Sequence, residues 1–150
     1  MIPRYGTPPL SGQVYRRRPG AYAILHRDGR LLMTHQAQPS PEFQLPGGGI
    51  DPGENVIAAL HREVFEETGY SIAGPRYLGV YRRYAYLPDY GYYAEKMCHI
   101  WLARPIQRLG PPSEPHHSAI WMAPRAAYDA LPDEGSRAML RRSGLITGVK

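Results

Sequence analysis

The stretch that most restricts this chain's fold runs from Val56 to Thr68, which holds neither Pro nor Gly and is bounded by Asn55 and Gly69. Asn is a favoured helix N-cap and Gly a favoured C-terminal stop, so these residues predict one helix. With successive residues about 100° apart, Ile57, Leu60 and Val64 share a face that must meet a core. Glu63, Glu66 and Glu67 share another face at i, i+3 and i+4. Carboxylates at that spacing repel by a few tenths of a kcal/mol per pair, roughly. Glu66 and Glu67 also stand at the helix C-terminus, where the helix dipole disfavours negative charge. A divalent cation turns that repulsion into attraction, and hard carboxylate oxygens suit Mg²⁺ or Mn²⁺ better than Zn²⁺.

The surroundings fit the same chemistry. Arg62 lies at i, i+4 to Glu66, and its planar fork can fix carboxylates in place. Glu54 sits just ahead of the helix, where negative charge is favoured. Pro46-Gly47-Gly48-Gly49 lets backbone approach a ligand closely, with carbonyls and amides free for a metal or a phosphate. Singly, an acidic helix face is ordinarily solvated surface and a glycine-rich turn ordinarily a turn; their joint spacing carries the weight. The pattern Gly48-x5-Glu54-x7-Arg62-Glu63-Val64-x-Glu66-Glu67-x-Gly69-Tyr70 resembles the Nudix box end to end. With each residue type occurring at roughly 5–7%, agreement at so many fixed positions by chance is negligible. Tyr70 departs from the pattern, which prefers an aliphatic residue there; an aromatic ring still fills an apolar site.

The resemblance implies an α/β fold: a Nudix α/β/α sandwich around a mixed β-sheet, with the box as loop–helix–loop. It implies a MutT-like hydrolase in which Gly47 (through its carbonyl), Glu63, Glu66 and Glu67 bind Mg²⁺, with Mn²⁺ as substitute. Arg62 and Glu54 then orient these ligands, and Glu63 is either a ligand or the general base. Family members also recruit an acidic residue from a loop outside the box. Glu114 is the first candidate, as metal ligand or base, and Glu95 the second. His116 and His117 follow Glu114, but adjacent histidines point different ways and make a poor metal pair.

The rest of the chain reads as one mixed unit. Residues 1–20 are rich in Pro, Gly and Arg and read as a loosely held arm, leaving 21–150 as a single domain. Strands are expected at Tyr22–Leu25 and Leu31–Met33 about an Asp28-Gly29 hairpin turn, and at Phe43–Leu45. Others are expected near Arg76–Tyr86, Met97–Ala103 and Ile120–Met122, with helices at 126–131 and 134–142. At 150 residues with 43% hydrophobic and 21% charged residues, the chain can bury one core. No apolar run approaches the roughly 20 residues that span a bilayer. The N-terminal residues lack a signal-peptide pattern, and the single cysteine, Cys98, reads as a buried thiol. A reducing cytoplasm fits both.

For the substrate, the expectations are broader. The net charge of +5 suits a polyanion. The run Arg16-Arg17-Arg18 is ordinarily a solvated edge and otherwise a phosphate or RNA contact. Tyrosines crowd Tyr77 to Tyr93; most belong to sheet faces, and some can stack on a base. Tyr84 and Arg82 are substrate candidates with Gln44, and Arg83 and Lys96 lie near enough in sequence to meet phosphates. The leading expectation is hydrolysis of a nucleoside triphosphate, oxidised or not, to the monophosphate. ADP-ribose or a nucleotide sugar is the rival substrate, an RNA 5′ end a third, and no membrane partner is expected. A homodimer is what the family implies. The alternative of another class is a non-catalytic nucleotide-binding regulatory module, which would be expected to lack some of the carboxylates present here.

Overall fold

The computed structural model describes residues 1–146. Its elements run β1 (Arg16–Arg27), β2 (Arg30–Gln36), β3 (Glu42–Gln44), β4 (Gly47–Gly49), α1 (Val56–Thr68), β5 (Tyr70–Leu87), β6 (Tyr92–Arg108), β7 (His117–Met122), α2 (Pro124–Ala130) and α3 (Glu134–Ser143). One mixed sheet has the order β3-β2-β1-β6-β5, with β4 paired to β1 and β7 to β2. The β1–β6 pair is parallel, from Arg16 beside Ala94 to Leu25 beside Ala103. The others are antiparallel.

Two apolar layers make the sandwich. Ala21, Ala23, Leu25, Trp101 and Ala103 face Leu60 and Val64 of α1. On the opposite sheet face Ile24, Met33, Tyr81, Cys98 and Ile100 pack on Ala127, Leu131, Met139 and Leu140. Strand alternation sends odd residues of β1 to one layer and even residues to the other. Cys98 is buried, as its apolar setting suggests, and burial pushes its thiol pKa up.

The local signals behave as their chemistry requires. Asp28 and Gly29 both take positive φ, which a two-residue hairpin turn needs to match strand twist. Asn55 accepts hydrogen bonds from the backbone of Ile57 and Ala58. Gly69 ends α1 at φ 77°, with its N–H donating to Phe65. Tyr70 occupies the apolar site expected of it, edge-on to Trp121, whose indole N–H donates to its hydroxyl at 3.3 Å.

Strand lengths differ from the sequence expectations. β1 begins at Arg16, ahead of Tyr22, because parallel pairing with β6 supplies hydrogen bonds that the Arg-rich composition does not advertise. β5 and β6 are long and run past their apolar segments, with bulges between Ala73/Arg76 and Tyr77/Gly79. Within the segment read as an arm, Pro3 and Tyr5 hydrogen-bond the backbone of Arg82. Tyr5 packs edge-on against Tyr81, and Tyr15 against Tyr84. No helix among the described residues is long and apolar enough to cross a membrane.

Candidate active site at the glycine strand and helix α1

The site begins with β4. Its neighbours in register fix how Gly47 is turned: Ala23 N–H donates to Pro46, and Ile50 N–H to Pro19. Hydrogen-bonded pairs alternate along an antiparallel ladder, so the intervening Gly47, opposite Tyr22, aims its N–H and C=O away from β1. The N–H donates to Glu67 Oε1 at 3.0 Å. The next residue, Gly48, must be small: a Cβ there would stand 2.4 Å from Oε2 of Glu63.

Helix α1 presents the carboxylates to this strand. Glu67 is 7% exposed, and Glu63 and Glu66 are half-buried beside it. Arg62 links the set. Its Nε and Nη2 grip Glu54 at 2.8 and 2.9 Å, Nη1 reaches Glu63 at 3.0 Å and Glu66 at 3.3 Å, and Nη2 donates to the Gly49 carbonyl at 3.2 Å. Glu54 also accepts the Asp51 N–H at 3.0 Å.

The C-terminus of α1 explains how Glu114 arrives. A helix end leaves carbonyls without intrahelical partners. Here the N–H groups of Ser113 and Glu114 donate to the Glu66 carbonyl at 2.8 and 2.9 Å, and Leu109 N–H donates to Gly69. The segment that satisfies the helix end therefore carries Glu114 to the acidic face.

Electrostatics follow from this crowding. Burial raises the Glu67 pKa to about 8; the Gly47 N–H opposes the rise, and the charges of Glu63, Glu114 and Glu66 add to it. Burial also raises Glu63, against the pull of Arg62. Glu54 behaves oppositely, held down at about 2 by its hydrogen bonds from Arg62 and Asp51. One guanidinium thus serves Glu54, Glu63 and Glu66, while Glu67 is left with surplus negative charge around it.

The donor set fits a hard divalent cation, since oxygen ligands predominate and the carboxylates repel without one. Among the described residues, however, no three His, Cys, Asp or Glu side chains already stand in ligating geometry. Glu63 and Glu66 lean on Arg62, and Glu67 leans on Gly47. Rotation of these carboxylates towards one another would gather them.

Gly47, Glu54, Arg62, Glu63, Glu66, Glu67 and Glu114 are therefore brought together. Gln44 lines a cavity of about 220 Å³ on the other side of β4, shared with Tyr22, Arg83, Lys96 and Asp133. Arg82 and Tyr84 are not brought to the acidic cluster. Both turn to Glu95, which accepts from Tyr84 at 3.1 Å, stands 3.6 Å from Arg82 and pairs with Arg17 at 2.9 Å. Alternation along β5 gives the cavity their neighbours Tyr81 and Arg83 instead. Glu95 is thereby held by its own ion pairs, away from the acidic helix.

The sequence raises His117 only beside His116, as half of a poor metal pair, and Asp133 escapes it altogether. His117 enters at the start of β7, with Nε2 3.4 Å from Glu67 Oε2 and no hydrogen-bond partner, while Nδ1 lies 3.2 Å from the Pro115 carbonyl. Its neighbour His116 lies just outside β7, exposed and at φ 65°. Asp133 caps α3 and receives the Tyr81 hydroxyl, the Ser136 hydroxyl at 2.8 Å and Arg83 at 3.4 Å. Its position directly before a helix was the available signal.

A mixed sheet between helical layers, with an acidic helix docked on a glycine strand, defines an α/β/α sandwich. Residues 15–142 match the NUDIX domain model, and the chain belongs to the Nudix family. The fold is similar to a NUDIX hydrolase from Nitrosomonas europaea, with TM-score 0.70 over 86% of this chain and 89% of that one at 18% identity. It is also similar to a MutT NUDIX hydrolase from Burkholderia pseudomallei, with TM-score 0.64 and 27% identity over 85% of this chain and 98% of that one. A Bacillus subtilis protein provisionally named an 8-oxo-dGTP diphosphatase is 39% identical over 64 residues, 43% of each chain. An RNA pyrophosphohydrolase from Caulobacter vibrioides is 40% identical over 57 residues, 36% of this chain and 33% of that one. The alignments thus span less than half of either curated relative.

Proposed function

We propose that this chain hydrolyses a pyrophosphate bond of a nucleotide substrate in a Mg²⁺-dependent reaction, converting a nucleoside triphosphate, oxidised or not, to the monophosphate. The observation that carries the reading is Glu67: a buried carboxylate on the Gly47 N–H, ringed by Glu63, Glu66 and Glu114, with the nearby guanidinium committed to other carboxylates. Such crowding is costly in a purely structural protein.

In this reading Glu63, Glu66, Glu67 and the Gly47 carbonyl hold the cation, with Mn²⁺ as substitute. Bound there, a divalent cation supplies neutralisation of phosphate oxygens and acidification of water. Arg62, clamped by Glu54, sets the orientation of Glu63 and Glu66. Glu63 or Glu114 takes the proton from the attacking water. The cavity beyond β4 receives the nucleotide, where Gln44 presents an amide.

A second reading has one observation in its favour. Arg16 lies 4.6 Å from the Tyr92 ring centroid and Arg18 4.4 Å from that of Tyr90, a basic-aromatic strip suited to an RNA 5′ end. The test for both is phosphate release, coupled to a phosphatase, from nucleoside triphosphates, ADP-ribose and 5′-triphosphorylated RNA with added Mg²⁺. Turnover on triphosphates that vanishes in Glu67→Gln supports the proposal. Turnover on RNA or ADP-ribose alone replaces the substrate. No turnover on any member, with Mg²⁺ or Mn²⁺, points to a regulatory module.

A further inference from the structure

β4 has a second side. Its register brings Gly49 opposite Gly20, and a Cβ on Gly49 would stand 2.9 Å from a terminal nitrogen of Arg18. The glycine strand thus separates the carboxylates, close to Gly48, from a guanidinium close to Gly49. Arg18 is not alone there. It pairs in register with Lys96 on the parallel β1–β6 ladder, and Lys96 pairs with Arg83 on the antiparallel β5–β6 ladder. In-register partners point to the same sheet face, so three cations lie in one row across three strands.

Like charges directly opposite one another destabilise a sheet. Only one end of this row is balanced: Arg83 meets Asp133 at 3.4 Å, and Asp133 is further committed to Tyr81 and to the first turn of α3. Arg18 donates to the hydroxyls of Tyr90 and Tyr92, which carry no charge to offset it. Among the described residues Lys96 forms neither an ion pair nor a hydrogen bond. It is partly buried against the Tyr22 ring, and it lines the cavity with Arg83, Asp133 and Glu42, pairing with neither carboxylate. Burial pushes its pKa down, and the charges of Arg83 and Arg18 push the same way against the opposing pull of Cys98 and Asp133. An ammonium so placed is unfavourable unless an anion joins it.

We propose that Arg83, Lys96 and Arg18 form a second anion site, across the glycine strand from the carboxylates, which takes a phosphate of the substrate. The proposal rests on the hydrolase reading above and narrows it. The substrate carries a phosphate beyond the one at the acidic helix, and a nucleotide bearing three or more phosphates satisfies both sides of β4. One with a neutral sugar at the far end leaves the row uncompensated. The carboxylates draw on a cation to hold an anion, whereas this row does not.

The site is therefore read without metal. Inorganic tripolyphosphate is titrated into the full chain in EDTA and followed by calorimetry, beside Lys96→Met, Arg18→Gln and Glu67→Gln. Wild-type protein binds, with affinity falling as salt rises. Lys96→Met weakens binding at least tenfold, roughly the loss of one charge-assisted contact, and raises the melting temperature, because an unpaired ammonium has been removed. Glu67→Gln retains affinity. Arg18→Gln, at the open end of the row, weakens binding about threefold or more, and serves if Lys96→Met folds poorly. No wild-type binding in EDTA, or unchanged affinity in either folded variant, overturns the proposal. Triphosphate turnover alongside unchanged tripolyphosphate binding in Lys96→Met removes the second site and leaves the hydrolase reading standing. Binding that the row variants lose, in a protein that turns over nothing, removes the hydrolase reading.

Discussion

Arg62 grips Glu54 with two parallel hydrogen bonds, Nε to Oε2 at 2.8 Å and Nη2 to Oε1 at 2.9 Å, and this leaves Nη1 aimed at Glu63 and Glu66. The arrangement needs a planar fork, which an ammonium lacks. Arg62→Lys should keep the charge and lose the geometry. We expect turnover to fall by about 10- to 100-fold, as when partners that orient metal ligands are removed. The half-saturating Mg²⁺ concentration should rise with it. Steady-state kinetics across a Mg²⁺ series measure both, and wild-type turnover in Arg62→Lys would refute the orienting role.

Glu67 links stability to pH. Its folded-state pKa of about 8 stands above the ordinary carboxylate value, so the metal-free folded state binds this proton more tightly than the unfolded chain. Its contribution is greatest at pH below the unfolded value of about 4.3 and is lost as pH rises towards 8. Metal-free protein should therefore melt at progressively lower temperature from pH 5 to pH 8 on account of this group. Glu67→Gln keeps an acceptor for Gly47 and should flatten the decline. Added Mg²⁺ should raise the wild-type melting temperature more at pH 8 than at pH 5. Equal Mg²⁺ effects at both pH values would count against Glu67 as a ligand.

The glycines at the two ends of the site should fail in different ways. At Gly69, φ is 77° and a Cβ would stand 1.9 Å from the Gly110 carbonyl oxygen, a backbone atom with little room to yield. Gly69→Ala should cost about 2–3 kcal/mol of stability, read by urea unfolding. At Gly48 the obstacle is the flexible end of Glu63. Gly48→Ala should leave stability nearly unchanged and weaken Mg²⁺ activation. A folded Gly48→Ala enzyme with wild-type Mg²⁺ dependence would show that Glu63 need not approach β4.

Asp133 should be a stability residue with an acid signature. Burial alone would raise its pKa, but the Tyr81 hydroxyl, Arg83 and the start of α3 together hold it below the usual value. A depressed carboxylate adds stability that is present above its unfolded pKa and lost as pH falls through the folded one. Asp133→Ala removes the α3 cap and leaves Arg83 without its partner; about 2–4 kcal/mol is expected at neutral pH. The difference from wild type should narrow below about pH 4. A loss below roughly 0.5 kcal/mol would mean that solvent already satisfies these partners.

Local sequence determined the elements whose causes are local. Asn55 and Gly69 bound α1 because a cap and a left-handed stop act within one turn. The box spacing put Glu63, Glu66 and Glu67 on one helix face, and Asp28-Gly29 set its hairpin because both residues tolerate positive φ. Tertiary structure decided what depends on pairing between distant segments. Which of Arg82 or Arg83 meets the cavity is a matter of β5 parity against β6, and a one-residue slip would exchange them. His117 reaches Glu67 because β7 pairs with β2, and Glu114 arrives because the end of α1 lacked partners for its carbonyls. Arg18, Lys96 and Arg83 lie far apart in the chain and stand side by side only because three strands share one register. Helix periodicity and turn geometry are written in neighbouring residues, whereas sheet register is fixed by burial and hydrogen bonding over the whole molecule.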